Sequence, residues 1–179
     1  MKSLISITGL LILAIFTSFG FKYSGEAETN RGYHLFKIGR SRDANEIIYD
    51  INFDKNGKPV NSDPLNIYWI KKTKNNKVES LTWIQKKFAY GIKILDPGSQ
   101  NINEWNFKFV SYAKRTFILK KTAGNRYKVF TTLKNKEIEV TRIFVQIDGG
   151  SFWVPSITYV KLFGIDTQSN TKFAETIIP

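Results

Sequence analysis

The side chains able to do covalent or metal chemistry are few. His34 is the single histidine and cysteine is absent. Thiolate zinc sites, cysteine nucleophiles and a disulfide-linked partner are therefore excluded, and too few ligands remain for a histidine-rich zinc centre. A serine nucleophile would need His34, and no serine stands in a G-x-S-x-G turn, so His34 reads as a structural or surface residue. Gly124, Gly149 and Gly150 form neither G-x-x-x-x-G-K-[ST] nor G-x-G-x-x-G, and no phosphate cradle is expected. Asp54-Lys55-Asn56-Gly57 lacks the alternating acids and terminal glutamate of a calcium loop. No metal, no cofactor and no catalytic residue is assigned. Asp43, Asp50, Asp148 and Glu139 remain as possible acids and bases for a hydrolase acting on glycan or phosphate substrates. Asp148, standing before Gly149-Gly150, is explained equally well by turn chemistry. Glu137 and Glu139 share a face that reads as solvated.

Cations are plentiful. Lys and Arg number 27 against 15 Asp and Glu, a net charge of +12, and removing an N-terminal segment charged only at Lys2 leaves the chain strongly basic. Such a charge favours an anionic partner, whether envelope polymer, lipid or small ligand. Arg40, Lys87, Tyr90, Arg115 and Arg142 are the candidate binding residues, accompanied by Arg42, Lys86 and Lys114. Arg142 falls in phase with Ile138, Val140 and Phe144 along one strand face. A buried guanidinium needs a partner, so the phase implies an ion pair with an acid such as Asp50, a β-bulge that resets the phase, or a pocket for an anion. Tyr90 either caps such a pocket or is a buried tyrosine with its hydroxyl bonded. In residues 105–115, basic and aromatic residues interleave. A single-strand-binding sheet stacks bases on such rings, but a sheet with one buried face shows the same alternation, and Trp105, Phe107 and Phe109 read as core.

These residues must be carried by a mainly β scaffold. Residues 46–53 alternate, with Ile47, Tyr49, Ile51 and Phe53 on one face. Further strands are expected over 33–38, 66–72, 92–94, 105–112, 115–121, 127–133, 137–147, 152–153, 157–163 and 172–178, with residues 78–81 leading into a helix and turns at Asn56-Gly57, 96–101 and Ala123-Gly124-Asn125. Strand spacing of this kind predicts an antiparallel β-sandwich or barrel of about eight to ten strands. Residues 39–45 read as a polar connection. The one helix expected after the N-terminus spans 81–91. Thr82 and Gln85 have capping-box spacing, Gly91 suits a left-handed C-terminal residue, Ile84 and Phe88 share a face, and Lys86 and Lys87 point to water. Such a helix must cross the sheet or close a barrel end.

The first residues read as targeting. Lys2 precedes a nearly apolar stretch over 4–16, and Ser18-Phe19-Gly20 offers a cleavage site. The organisation expected is a signal peptide over 1–20, with cleavage as late as 27 the alternative, a flexible lead-in over 21–32, and a single β-rich domain over 33–179. An uncleaved anchor is the competing reading, since residues 4–21 reach the lower limit for a spanning helix. Export to the periplasm or the extracellular space follows, and it argues against intracellular nucleic acid as a partner.

Several short matches then converge. Arg40-Ser41 with Asn45, Tyr68-Trp69-Ile70, Leu81-Thr82-Trp83 with Lys87, Ala89-Tyr90-Gly91, Lys114-Arg115, Ile143-Phe144-Val145 and residues 159–164 resemble an uncharacterised bacterial family of unknown-function domains (DUF4833-like). The helix motif is the most specific, with Gln85 where an acidic or amide residue is usual. The resemblance implies an exported single domain and favours Arg40, Tyr90 and Arg115 for a shared surface; it supplies no catalytic residue, substrate or cofactor. The function expected is a non-catalytic exported module binding an anionic or amphipathic cell-envelope component. The alternatives are the carboxylate-dependent hydrolase and a lipocalin-like small-ligand carrier.

Overall fold

The computed structural model describes residues 33–95, 103–151 and 154–179. The expected signal segment and lead-in, the turn over 96–101 and the short strand at 152–153 lie outside the described residues. Among the described residues eleven strands form: β1 (His34–Arg40), β2 (Asp43–Ile51), β3 (Leu65–Lys71), β4 (Lys77–Ser80), β5 (Ile92–Ile94), β6 (Glu104–Phe109), β7 (Tyr112–Lys121), β8 (Tyr127–Leu133), β9 (Lys136–Gly150), β10 (Pro155–Asp166) and β11 (Lys172–Ile177). One short helix, α1, runs α-helically over Trp83–Gln85 and continues as a π-turn over Lys86–Tyr90.

A single mixed sheet results. Its hydrogen-bonded order is β4-β3-β2-β1-β9-β8-β7-β6-β5, with β10 paired to β9 and β11 to β10. Every contact between neighbours is antiparallel except that of β1 with β9. The long β9 organises this layout. Its Lys136–Glu139 stretch pairs with β8 and its Arg142–Val145 stretch with β1, while β10 runs beside both. The β1–β4 and β5–β8 halves therefore leave β9 at successive points and curl toward each other as a half-barrel. Their inner faces meet through rings: Phe36 stacks on Tyr49 at 4.4 Å, and Phe109 meets both edge-on at 6.1 and 5.7 Å. Trp105, Phe107, Phe109, Phe117 and Leu119 are buried, so the aromatic–basic alternation over 105–115 is that of a strand hairpin with one core face. Offset and edge-on ring pairs add about 0.5–1.5 kcal/mol each beyond area burial.

The half-barrel's terminal strands, β4 and β5, are consecutive along the chain, and α1 spans from one to the other. That placement gives the helix its position at the open seam. Two expectations about connections change. The 39–45 link shortens to Ser41-Arg42, because Gly39 and Arg40 extend β1 and Asp43 to Asn45 extend β2. The 105–112 strand stops at Phe109 and turns at Val110-Ser111 into a β7 that begins at Tyr112. A two-residue turn closes β8–β9, with positive φ at Lys134 and Asn135 (49° and 61°), the backbone that matches strand twist. The β3–β4 link is longer: a 3-10 turn over Lys72–Lys74 is followed by Asn75 and Asn76, also at positive φ (53° and 59°).

Arg142 is exposed, and a β-bulge explains why. In the β9–β10 ladder Phe163 faces Arg142 but Gly164 faces Val140, leaving Thr141 as the extra residue. Ile138 and Val140 point inward before the bulge and Ile143 after it, so Arg142 turns outward. There it lies 5.7 Å from the Phe144 ring and 5.4 Å from that of Phe163. A methyl at Gly164 would stand 2.3 Å from Glu139 O, so glycine permits the close approach of the two strands.

Candidate functional site

Arg40, the last residue of β1, points into the mouth of the half-barrel. Its guanidinium lies 4.7 Å from the Trp69 ring and 5.9 Å from that of Tyr90. Nη1 donates to the Tyr90 hydroxyl at 2.8 Å, and Nη2 donates to Asp43 Oδ2. The hairpin fixes Asp43 in turn, since its Oδ1 accepts from the Asn45 backbone N–H at 2.9 Å. Nε of Arg40 is buried without a hydrogen-bond partner. Lys71 Nζ adds a second cation 4.1 Å from the Trp69 ring. Burial pushes the Tyr90 hydroxyl above its ordinary pKa; Arg40 opposes that rise without cancelling it. Tyr90 therefore stays a neutral phenol at physiological pH and accepts from the arginine.

These contacts fasten α1 to the sheet. Thr82 and Gln85 form the expected capping box: Gln85 N–H donates to Thr82 Oγ1 at 3.3 Å, and Thr82 N–H donates to Gln85 Oε1 at 3.0 Å. The same Oε1 accepts from the Trp69 indole at 3.4 Å. At the other end, the Ala89 and Tyr90 carbonyls accept from Ser111 Oγ at 2.6 Å and from the Tyr49 hydroxyl at 2.7 Å. A helix end leaves carbonyls unpaired; side chains from β2 and the β6–β7 turn satisfy these two.

Gly91 follows the π-turn with φ of −71° and ψ of 171°, an extended residue rather than a left-handed one. Glycine is needed there for room: a Cβ would lie 1.9 Å from Lys86 O. The wider π-turn also re-aims the helix. An i→i+5 ring brings residues five apart onto one side, so Phe88 sides with Trp83 rather than with the half-buried Ile84. Trp83 is 67% exposed and Phe88 61%. Lys87 stands between them, its Nζ 5.7 Å from one ring and 5.3 Å from the other.

Of the five candidate binding residues, Arg40 and Tyr90 meet directly and Lys87 rides the same helix on its solvent side. Arg115 makes its contact elsewhere, donating from Nη1 to Thr132 O at 2.7 Å while its Nε is buried and unpaired. Arg142 occupies the outer face. Trp69, Trp83 and Phe88 join the site without having been singled out for it; the Trp83–Lys87 spacing was the available signal, and the π-turn that exposes Phe88 has none.

The candidate carboxylates each engage a separate partner. Asp43 serves Arg40. Asp50 accepts from the Tyr68 hydroxyl at 2.7 Å and sits 3.0 Å from His34 Nδ1. Glu139 pairs with Lys128 at 2.6 Å. Asp148 lies within β9 rather than in a turn, accepting from Gln146 and Thr158. Asp43 and Asp50 are seven residues apart along β2, or about 23 Å at strand rise, against the roughly 5–10 Å between catalytic carboxylates in glycoside hydrolysis.

No curated protein and no solved structure matches the chain. Residues 36–176 match a family model, and the chain belongs to the family described as Domain of unknown function (DUF4833).

Proposed function

We propose that this chain is an exported, non-catalytic module that binds an anionic or amphipathic component of the cell envelope. The observation that carries the reading is the solvent face of α1, where Trp83 and Phe88 flank Lys87 beside Lys86. The helix leaves these apolar rings in water although its other contacts with the sheet are well made. Exposed rings interleaved with cations suit a partner that is itself part apolar and part anionic. The overall charge of +12 would draw such a partner from a distance. The separate engagement of each candidate carboxylate, and the distance between Asp43 and Asp50, favour binding over hydrolysis.

Equilibrium binding of the full chain to an acidic glycan and to phospholipid vesicles, each beside a neutral counterpart, tests the proposal. Saturable preference for an anionic ligand in either format is expected. Equal affinity for the charged and neutral ligands would refute it.

A further inference from the structure

We infer that the α1 face is a docking surface for an anionic phospholipid bilayer, with Trp83 and Phe88 entering the headgroup zone and Lys86 and Lys87 meeting lipid phosphates. The inference rests on the binding reading above and names its partner. Four observations carry it.

The first is the pair of rings, exposed on the same helix turn with Lys87 between them. Indole and lysine are side chains that settle at a membrane interface, the ring at headgroup depth and the ammonium snorkelling toward water. The second is charge. Residues 80–95 hold Lys86, Lys87 and Lys93 and no acid, and Glu79 just before them is engaged by Lys77 at 3.2 Å and Lys74 at 3.9 Å. The face is thus complementary to anionic lipid. The third is rigidity. The capping box, the Trp69–Gln85 bond, the Arg40–Tyr90 bond and the two capped carbonyls fix the helix from beneath, so its backbone needs no ordering at the moment of docking. The fourth is neighbourhood. Val110, 37% exposed, donates its N–H to Gly91 O at 3.0 Å and extends the apolar area at the helix end. A bilayer takes up such protruding side chains to a depth of roughly 5–10 Å.

The test uses the full chain, with vesicles of phosphatidylcholine alone or containing a minority of phosphatidylglycerol. The apolar stretch over 4–21 is common to every variant, so differences among variants carry the result. With anionic vesicles, bromine-labelled acyl chains should quench a fluorescence component that W83F removes. Each of K86Q and K87Q should weaken binding about fivefold, the usual contribution of one cation at an anionic surface. W83S with F88S should weaken it about tenfold or more. The inference is overturned if Trp83 stays unquenched while the protein is bound, or if W83S with F88S binds as the natural chain does. If the aromatic variant is neutral and a soluble acidic glycan is bound through the same lysines, the bilayer assignment fails and the broader binding reading survives. Binding to neither anionic ligand removes both.

Discussion

Replacing Gly91 separates two reasons for a glycine at the end of α1. If the residue were left-handed, asparagine would be the best substitute and would be more stable than alanine, which pays about 1–2 kcal/mol in that conformation. In the structure, φ is −71° and a Cβ at this position would stand 1.9 Å from Lys86 O. Any β-carbon must therefore drive that backbone carbonyl away by more than an ångström or unwind the π-turn. Overpacking costs about 1–3 kcal/mol. Moving the turn also strains the Ser111–Ala89 and Tyr49–Tyr90 bonds, each worth about 1 kcal/mol. Gly91→Ala should therefore lose about 3 kcal/mol, or roughly 6–12 °C in melting temperature for a chain of this size, and Gly91→Asn should be no better. Urea unfolding of the natural chain and both variants measures this directly. A loss below about 1 kcal/mol for alanine, or asparagine clearly more stable than alanine, would refute the close-approach argument.

Other outcomes follow from the same contacts. Arg40→Gln and Tyr90→Phe should be non-additive in a double-mutant cycle read by urea unfolding, with a coupling of about 1 kcal/mol; additive losses would mean that the bond does not hold the helix. The Asp166 carboxyl is held at about 2, first by Lys136 at 2.7 Å and then by the Gln168 and Ser169 backbone N–H groups, with burial opposing. Because the folded value lies below the unfolded one, its stabilisation is complete above about pH 5 and is lost as pH falls through about 2. Asp166→Asn should therefore flatten the acid limb of a stability–pH curve, and an unchanged limb would contradict the pairing. Trp83→Ser and Phe88→Ser should each leave stability within about 0.5 kcal/mol in thermal unfolding, as exposed residues do; a larger loss would mean that these rings pack in solution.

The β class was legible because most strands bury one face, and period-2 alternation reports that directly. Residues 46–53 and 105–109 are the clearest cases. The capping box was legible because both partners lie within one turn of the chain. Arg142 sat at the limit of such reasoning: its phase was anomalous, and a bulge was one of three explanations, but Thr141 as the extra residue depends on Gly164, distant in sequence. The π-turn was not legible. Its carbonyls are satisfied by Tyr49 and Ser111, which no local pattern links to residues 86–90. That same turn exposes Phe88, so the period of a regular helix assigned this residue to the wrong side. Arg40 and Tyr90 could be nominated singly, whereas their bond depends on β1 and α1 meeting at the open seam.

The central claim is that a basic, aromatic-bearing face binds an anionic envelope component. Its most direct test is the affinity of the full chain for phosphatidylglycerol-containing vesicles as ionic strength rises from 0.01 to 0.1 M, over which screening shortens from about 30 to about 10 Å. Affinity should fall steeply, and less steeply when Lys86 and Lys87 are both glutamine. An affinity that does not change with salt would contradict the claim.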